Sequence, residues 1–424
     1  MTSGTVARML LGLVASVLIA RALGPSEFGV FAVLAAAAGI VGVIADLGLS
    51  TTAVKRIAEG WPADGDLVNQ RWQAYVVLRA VTCSLIVLIP IVLAQPIATW
   101  ILQLEEPGSA GLLQLAMLGV LATALSGALN VALQGTRRFG RLSLALLFNS
   151  ALTAVLAVLL MWAGTLNLFT ALLILGIGTS LATLALSYGL LPAGWGLERT
   201  AFDRGRLSAE GRALLGFGRW LWIGSIFAVL TAQLDVLLLN RLSTAAVVGS
   251  YALALNLASK ADIVNQSLRV VLLPTAATLE SIGNMRVYVR RGLARSGLIS
   301  LALLLLIPLA GPLIVALYGP DFVAAVPLFR ALLLIVIFDV MMMPVLLLAF
   351  PLNRPKLMAA ADALRAVTLA IVAVALIPSL GAWGAVIAKA AARVLGAALI
   401  VGVLWRSGRS GPSNEHPHPD DRQD

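Results

Sequence analysis

The chain has 424 residues, of which 60% are hydrophobic and only 12% charged, whereas soluble domains are about 45–50% apolar and about 25% charged. A chain this long and this poor in charge cannot cover a water-facing surface, so a soluble enzyme is excluded and its solvent is largely lipid. The formal net charge of +10 sits mostly in loops between apolar stretches, which points to membrane orientation rather than nucleic-acid binding.

In lipid, every backbone N–H and C=O must be satisfied within the chain, which leaves helices or a closed barrel. The apolar stretches reach about twenty residues and period-two alternation is absent, so the chain reads as all-α, a polytopic membrane protein of about twelve transmembrane helices. In chain order the predicted spans are 5–23, 28–53, 74–101, 110–134, 142–163, 166–191, 213–240, 245–275, 295–318, 325–350, 357–378 and 382–404. Gly24-Pro25, Pro107-Gly108 and Gly319-Pro320 punctuate them. The first span, with Arg8 near its start ahead of an apolar run and Ala20-Arg21-Ala22 at its end, has features of a cleaved signal peptide, but an internal repeat makes it part of a structural half-copy. Residues 405–424, with Pro412, Pro417 and Pro419, read as a disordered cytoplasmic tail. Cys83 is the single cysteine, and the two histidines, His416 and His418, lie in that tail. No disulfide, metal site or cofactor is therefore expected.

Lysine and arginine alternate from loop to loop. Lys55, Arg56 and Arg71 follow the second span, Arg137, Arg138 and Arg141 the fourth, and Arg199, Arg204, Arg206 and Arg212 the sixth. Arg286, Arg290 and Arg291 follow the eighth, Arg354 and Lys356 the tenth, and Arg406 and Arg409 the last. The intervening loops hold almost none, Arg241 being the main exception, and Glu105 and Glu106 make one of them acidic. Positive loops stay inside, so the expectation is a multi-pass protein of the bacterial inner membrane with both termini cytoplasmic.

The spans repeat. The first ends Leu18-Ile19-Ala20-Arg21 and is followed by Gly29, Phe31 and Ala32; the seventh ends Leu238-Leu239-Asn240-Arg241 and is followed by Gly249, Tyr251 and Ala252. A looser match pairs Gln134-Gly135-Thr136-Arg137-Arg138 with Asn353-Arg354-Pro355-Lys356. An even number of spans per copy makes the repeats parallel, related by an axis along the membrane normal, a design common in secondary transporters. The expected organisation is a six-helix bundle over 1–191, a cytoplasmic linker over 192–212 and a second six-helix bundle over 213–404.

The run Arg21-Ala22-Leu23-Gly24-Pro25-Ser26-Glu27-Phe28-Gly29, followed by Asp46-Leu47-Gly48-Leu49, resembles the opening of polysaccharide-biosynthesis flippases. These are the Wzx-like members of the MOP superfamily that includes MATE exporters and the lipid II flippase MurJ. Asp235 ahead of Gly249 and Tyr251, Leu317-Tyr318-Gly319, Arg354-Pro355-Lys356, and Ile377-Pro378 with Gly381 and Gly384 extend the resemblance along the chain. Phe31 and Phe322 stand where tyrosine is expected, and Asp362 and Arg365 where the eleventh span would carry asparagines. The resemblance implies a flippase for an undecaprenyl-diphosphate-linked oligosaccharide, loaded on the cytoplasmic face. Such a polyprenyl-diphosphate-linked glycan needs a polar, preferably cationic cavity open sideways to the membrane lipids.

Intramembrane charges are costly and so mark functional candidates. Asn256, Lys260 and Ser267 form one stripe of the eighth span, and Asp262, Gln266 and Arg269 a neighbouring one. Lys389 and Arg393 share a face of the twelfth, where two cations repel unless an anion such as diphosphate, Asp339 or Asp362 lies between them. Lys260, Lys389, Arg393, Arg365 and Arg79 are the candidate substrate-binding cations. Asp46, Asp235, Asp262 and Asp339 are candidate carboxylates for a coupling ion, H+ or Na+, or for structural pairing; Gly48 and a nearby helix end favour the structural role for Asp46. Arg21, Arg79, Arg219, Arg241 and Arg269 lie near span ends, where headgroup snorkelling competes with cavity lining. Trp61, Trp100, Trp195 and Trp405 read as interfacial anchors. A MATE-like exporter of cations calls for cavity carboxylates, whereas the deep residues here lean basic. A MurJ-like lipid II flippase is a second alternative. A glycan polymerase or ligase calls for acid–base groups on a substantial outer loop, and the outer loops here are short and without histidine.

Overall fold

The structure, a computed structural model, describes residues 2–104, 108–192, 194–196, 204–265, 267–269, 272, 282–349 and 355–409. Among the described residues there is no strand. The expectations attached to Glu105, Glu106, Arg199, Gln266, Arg354 and the tail beyond 409 fall outside them.

Helix α1 runs Thr2–Asp46 and is two spans in one, bent where Gly24 takes φ 66° and ψ 177°. Glycine takes that left-handed φ without a Cβ clash, and Pro25, which needs no N–H partner at a helix start, begins the second arm. At 1.5 Å per residue each arm is roughly 33 Å long, enough for a hydrocarbon core of about 30 Å. The second span was expected to run to residue 53. It stops at Asp46, because Leu47 (φ 50°) and Gly48 (φ 72°) turn the chain. Beyond this turn lies a separate amphipathic helix, α2 (Leu49–Gly60), which buries Leu49, Thr52, Ala53 and Ile57 and exposes Lys55 and Glu59.

Helix α3 (Gly65–Val92) begins earlier than the apolar run, since Asp64 caps it by accepting from the Leu67 N–H at 2.8 Å. Then come α4 (Ser109–Gly135), α5 (Phe139–Trp162) and α6 (Leu168–Gly189). Helix α7 (Arg204–Leu242) extends well below its predicted start, so the second part of the expected linker is helical. The first part is docked: Trp195 packs on Trp72 (5.6 Å between centroids) and Trp61 (6.2 Å). Gln73 Nε2 also donates to the Gly196 carbonyl at 2.6 Å. Trp61 and Trp195, expected as separate headgroup anchors, thus form one aromatic cluster with the buried Trp72. Trp100, 79% exposed, stands free of it.

The remaining helices are α8 (Ala245–Ala261), α9 (Ile282–Leu304), α10 (Leu306–Tyr318), α11 (Ala325–Leu346), α12 (Pro355–Leu380) and α13 (Ala382–Arg409). Arg290 and Arg291, expected in a loop, lie on the exposed face of α9. The ninth span is α9 and α10 together, bent by 41°. Pro308 has no N–H to offer the Leu304 carbonyl, which explains a break at this point. Among the described residues nine helices are long and apolar enough to cross a membrane, or ten with this bent pair. Counting the two arms of α1 separately and adding α8 accounts for the twelve expected crossings.

The main hydrophobic core joins both halves of the chain, with Leu34, Met117, Tyr251 and Phe322 among its most buried members. A second core under α2 gathers Leu49, Ile57, Trp72, Tyr75 and Leu214. The face that carries Arg56, Arg71 and Arg141 is called the inner face below, and the opposite one the outer face.

Candidate functional site

The second arm of α1 runs down the middle of the molecule, rich in alanine and glycine from Ala32 to Gly42. Small side chains leave space on either side of it, and two chambers result. One, of about 740 Å³, lies among α1, α3, α4 and α6 and is lined chiefly by Leu34, Ala38, Gly39, Gly42, Gly119 and Leu175. The other, of about 450 Å³, lies among α1, α7, α8, α11 and α13. Phe31 and Ala35 border both.

The larger chamber is mostly apolar. Among the described residues its one charged lining residue is Arg79, whose Nη1 lies 2.8 Å from Asp46 Oδ1. Ser50 donates to the same carboxylate, and its hydroxyl is 2.9 Å from the Tyr75 hydroxyl. Asp46 therefore has a local ion pair and hydrogen bond where the chain turns out of α1. Asn130, Gln134 and Thr123 add neutral polar groups to this chamber. Gln134 figured in the sequence only as part of the repeat match, and Asn130 and Thr123, single polar residues in an apolar span, carried no pattern that would have marked them.

The smaller chamber holds the charges. Lys389, Arg393, Asp262 and Asp339 all line it. Lys389 and Arg393 are one turn apart on α13, and each meets a carboxylate from a different helix. The Lys389 Nζ sits 2.5 Å from Asp235 Oδ2 on α7, where Asp235 is fully buried. The Tyr251 hydroxyl donates to that same oxygen at 2.6 Å, and the Val236 N–H donates to Asp235 Oδ1 at 3.0 Å. Arg393 Nη1 lies 3.4 Å from Asp339 Oδ2 on α11. Asp262 accepts from Asn265 Nδ2 at 2.7 Å.

The other two candidates lie apart from the chambers. Arg365 pairs with Asp362 on its own helix at 3.0 Å and passes through a notch left by Gly396 on α13. Lys260 faces the first arm of α1, with its Nζ 4.0 Å from where a Cβ on Gly12 would stand. One turn along the same stripe, the Ser16 hydroxyl donates to Asn256 Oδ1 at 3.4 Å. Lys260 has no carboxylate within ion-pair distance among the described residues.

Among the described residues the chamber lining is therefore charge-balanced, two cations against two carboxylates, where the deep residues of the sequence led us to expect a basic one. Asp339 was one of the two carboxylates expected between the α13 cations and does meet Arg393; Asp235 as the partner of Lys389 was not foreseen, because it comes from a helix far away in the chain. Among the described residues no three His, Cys, Asp or Glu side chains gather as a metal site.

A family model described as "Polysaccharide biosynthesis protein" matches residues 1–280. The chain belongs to that family. No curated protein matches this one. Among solved structures, the lipid II flippase MurJ in an inward closed conformation superposes with a TM-score of 0.74 at 12% identity, covering 95% of this chain and 87% of that one. An inward-facing multidrug resistance MATE transporter of the MOP superfamily gives 0.68 at 16% identity, over 95% and 94%. A MOP superfamily transporter from Pyrococcus furiosus, described as having a binding pocket of reverse polarity, gives 0.57 at 17% identity, over 96% and 92%. This family member thus has the MOP fold: polytopic, all-helical and membrane-spanning.

Proposed function

We propose that this polysaccharide biosynthesis family member is a flippase that moves a polyprenyl-diphosphate-linked oligosaccharide across the bacterial inner membrane. The observation that carries the reading is the family match over residues 1–280, joined to a central cavity with an apolar chamber beside a charged one. An amphiphile with an anionic linkage suits that division. Deleting the gene should remove a cell-surface glycan and leave its lipid-linked precursor accumulated on the cytoplasmic side. Unchanged surface glycan and precursor levels would overturn the assignment. Nothing in this reading requires a covalent step, and the enzyme alternatives draw no support from the site.

A second reading has one specific observation behind it. Asp262 and Asp339 place carboxylates in the smaller chamber, which suits a MATE-like exporter of organic cations. The charge-balanced lining supports this reading more than the sequence did. A MurJ-like lipid II flippase remains the nearer alternative in chemistry.

We further infer that residues 1–191 and 213–404 are duplicated halves about an axis along the membrane normal. The support is reciprocal. Arg21 donates to the Ala316 carbonyl at 2.6 Å, and Arg241 to the Trp100 carbonyl at 3.0 Å. Each arginine thus reaches from the end of one half's first span to the third span of the other. The topology that goes with this has both termini cytoplasmic. Reporter fusions at Glu105, Gly164 and Asp321 should read outside, and fusions at Arg138, Arg204 and Arg354 inside; exchanged signals at two of these positions would refute it.

A further inference from the structure

Two places, one on the second arm of α1 and one at the turn that ends it, bring the halves closer than any side chain allows. Near the outer end, Gly29 and Gly249 face each other. A Cβ on Gly29 would overlap the Ala245 carbonyl oxygen and lie 3.0 Å from the Gly249 nitrogen. A Cβ on Gly249 would overlap the Pro25 carbonyl oxygen and lie 3.0 Å from the Gly29 nitrogen. The contact is backbone on backbone and the same from both sides. Near the inner end, a Cβ on Gly48 would overlap the Gly218 carbonyl oxygen, and one on Gly218 would lie 3.1 Å from both the Gly48 oxygen and Thr52 Oγ1. From Gly29 to Asp46 the helix rises about 26 Å, close to the thickness of the hydrocarbon core, and Gly48 lies in the turn just beyond. The chambers lie between these two contacts, since Phe31, Ala35, Gly39 and Gly42 line them.

Polar contacts differ at the two ends. At the inner end Arg56 Nη2 pairs at 2.9 Å with Glu210 Oε2 on the linker part of α7, with Arg71 4.0 Å from the same carboxylate. The Trp222 indole also donates to the Val43 carbonyl at 3.2 Å. At the outer end, besides Arg21 and Arg241, Asn240 donates to the Leu102 carbonyl and Phe28 meets Phe322 edge-on at 6.0 Å. The cavity is thus shut along this seam at both faces.

We propose that Gly29–Gly249 and Gly48–Gly218 are the outer and inner latches of the transport cycle, and that the absence of side chains at these positions is what permits each face to close. The inference rests on the transporter reading but not on the identity of the substrate. A packed backbone contact of this kind is two-state, closed or parted, because interfaces do not deform continuously. A side chain in one latch removes the closed state of that face alone.

The test is distance measurement between spin labels on the purified full chain in nanodiscs, without substrate, in a Cys83→Ser background. One label pair at Ala163 and Asp321 reads the outer face, and another at Ala63 and Arg290 reads the inner face. The unaltered latches should give short distances on both faces. Gly249→Ala and Gly29→Ala should each reduce the short outer population to about 10% or less and leave the inner pair unchanged. Gly218→Leu should do the reverse. Alanine forms helix better than glycine, so the outer variants are not expected to unfold, and two of them guard against a fault in either one. Gly48 is avoided because its φ of 72° penalises any side chain in every state. If the outer variants leave the outer distance short, or if both faces move together, the latch assignment is wrong. Because no substrate takes part, that failure is distinct from a failure of the flippase reading, which the gene deletion tests.

Discussion

Replacing Asp235 with asparagine is expected to destabilise the protein by about 3–5 kcal/mol, because it leaves the Lys389 ammonium buried without its counter-charge. Asp235 is fully buried and Lys389 nearly so, and the Tyr251 hydroxyl and Val236 N–H complete the carboxylate's shell. Lys389→Met should cost a similar amount, since it strands the carboxylate instead. The double change Asp235→Asn with Lys389→Met removes both charges and should be milder than either alone, as neutral replacement of a buried pair often is. Denaturant unfolding in detergent, read by tryptophan fluorescence, supplies the cycle. Single changes within about 0.5 kcal/mol of the starting protein, the range of ordinary surface substitutions, would mean that the pair does not hold α7 to α13. Lys389→Ala therefore makes a poor probe of substrate binding, because it removes stability first.

The fold was legible because lipid simplifies the problem. Apolar length marks a span, and arginine marks many of the breaks between spans, so the crossings could be read from the chain alone. Departures occur where a single residue overrides the apolar run. Gly48 ends α1 before its apolar stretch is over, and Asp64 starts α3 ahead of its own. Arg290 and Arg291 looked like loop residues, yet α9 carries them on an exposed face. The site was less legible. Composition identified Lys260, Lys389, Arg393, Arg365, Arg79 and the four aspartates as worth attention, and for Asp46 the helix-end glycine suggested a local partner. The sequence named Asp339 and Asp362 as possible counter-charges for the α13 cations, but it could not choose Asp339 for Arg393 or say that Asp235 reaches Lys389, 154 residues away. Those pairings depend on how α7, α11 and α13 pack, which no local period encodes. The repeat offset placed Gly29 and Gly249 in equivalent positions, but only packing reveals that they touch.

We propose that Arg393, in the smaller chamber, and Lys260, which lies apart from it on α8, are the cations that meet a diphosphate on its path, and replacing both with alanine should cut glycan export by on the order of a hundred-fold or more. Arg393 is a third exposed to the chamber and only 3.4 Å from Asp339, so its five N–H donors are not all engaged. Lys260 has no carboxylate to release among the described residues. A hydrogen bond to a charged group contributes about 1.5–3 kcal/mol, so each cation is worth roughly ten- to a hundred-fold in occupancy. Arg393→Lys should be milder than Arg393→Ala, because a point charge still attracts the anion though it loses the fork. Export of surface glycan is the readout, with protein abundance in the membrane as the control. Normal export by the Lys260→Ala, Arg393→Ala double variant at normal abundance would rule out both cations as diphosphate contacts. Asp339→Asn separates the two functional readings by sign. For an anionic substrate it frees Arg393 from its intramolecular partner, and export should hold or rise. For a cationic substrate it deletes one of the two chamber carboxylates, and export should fall.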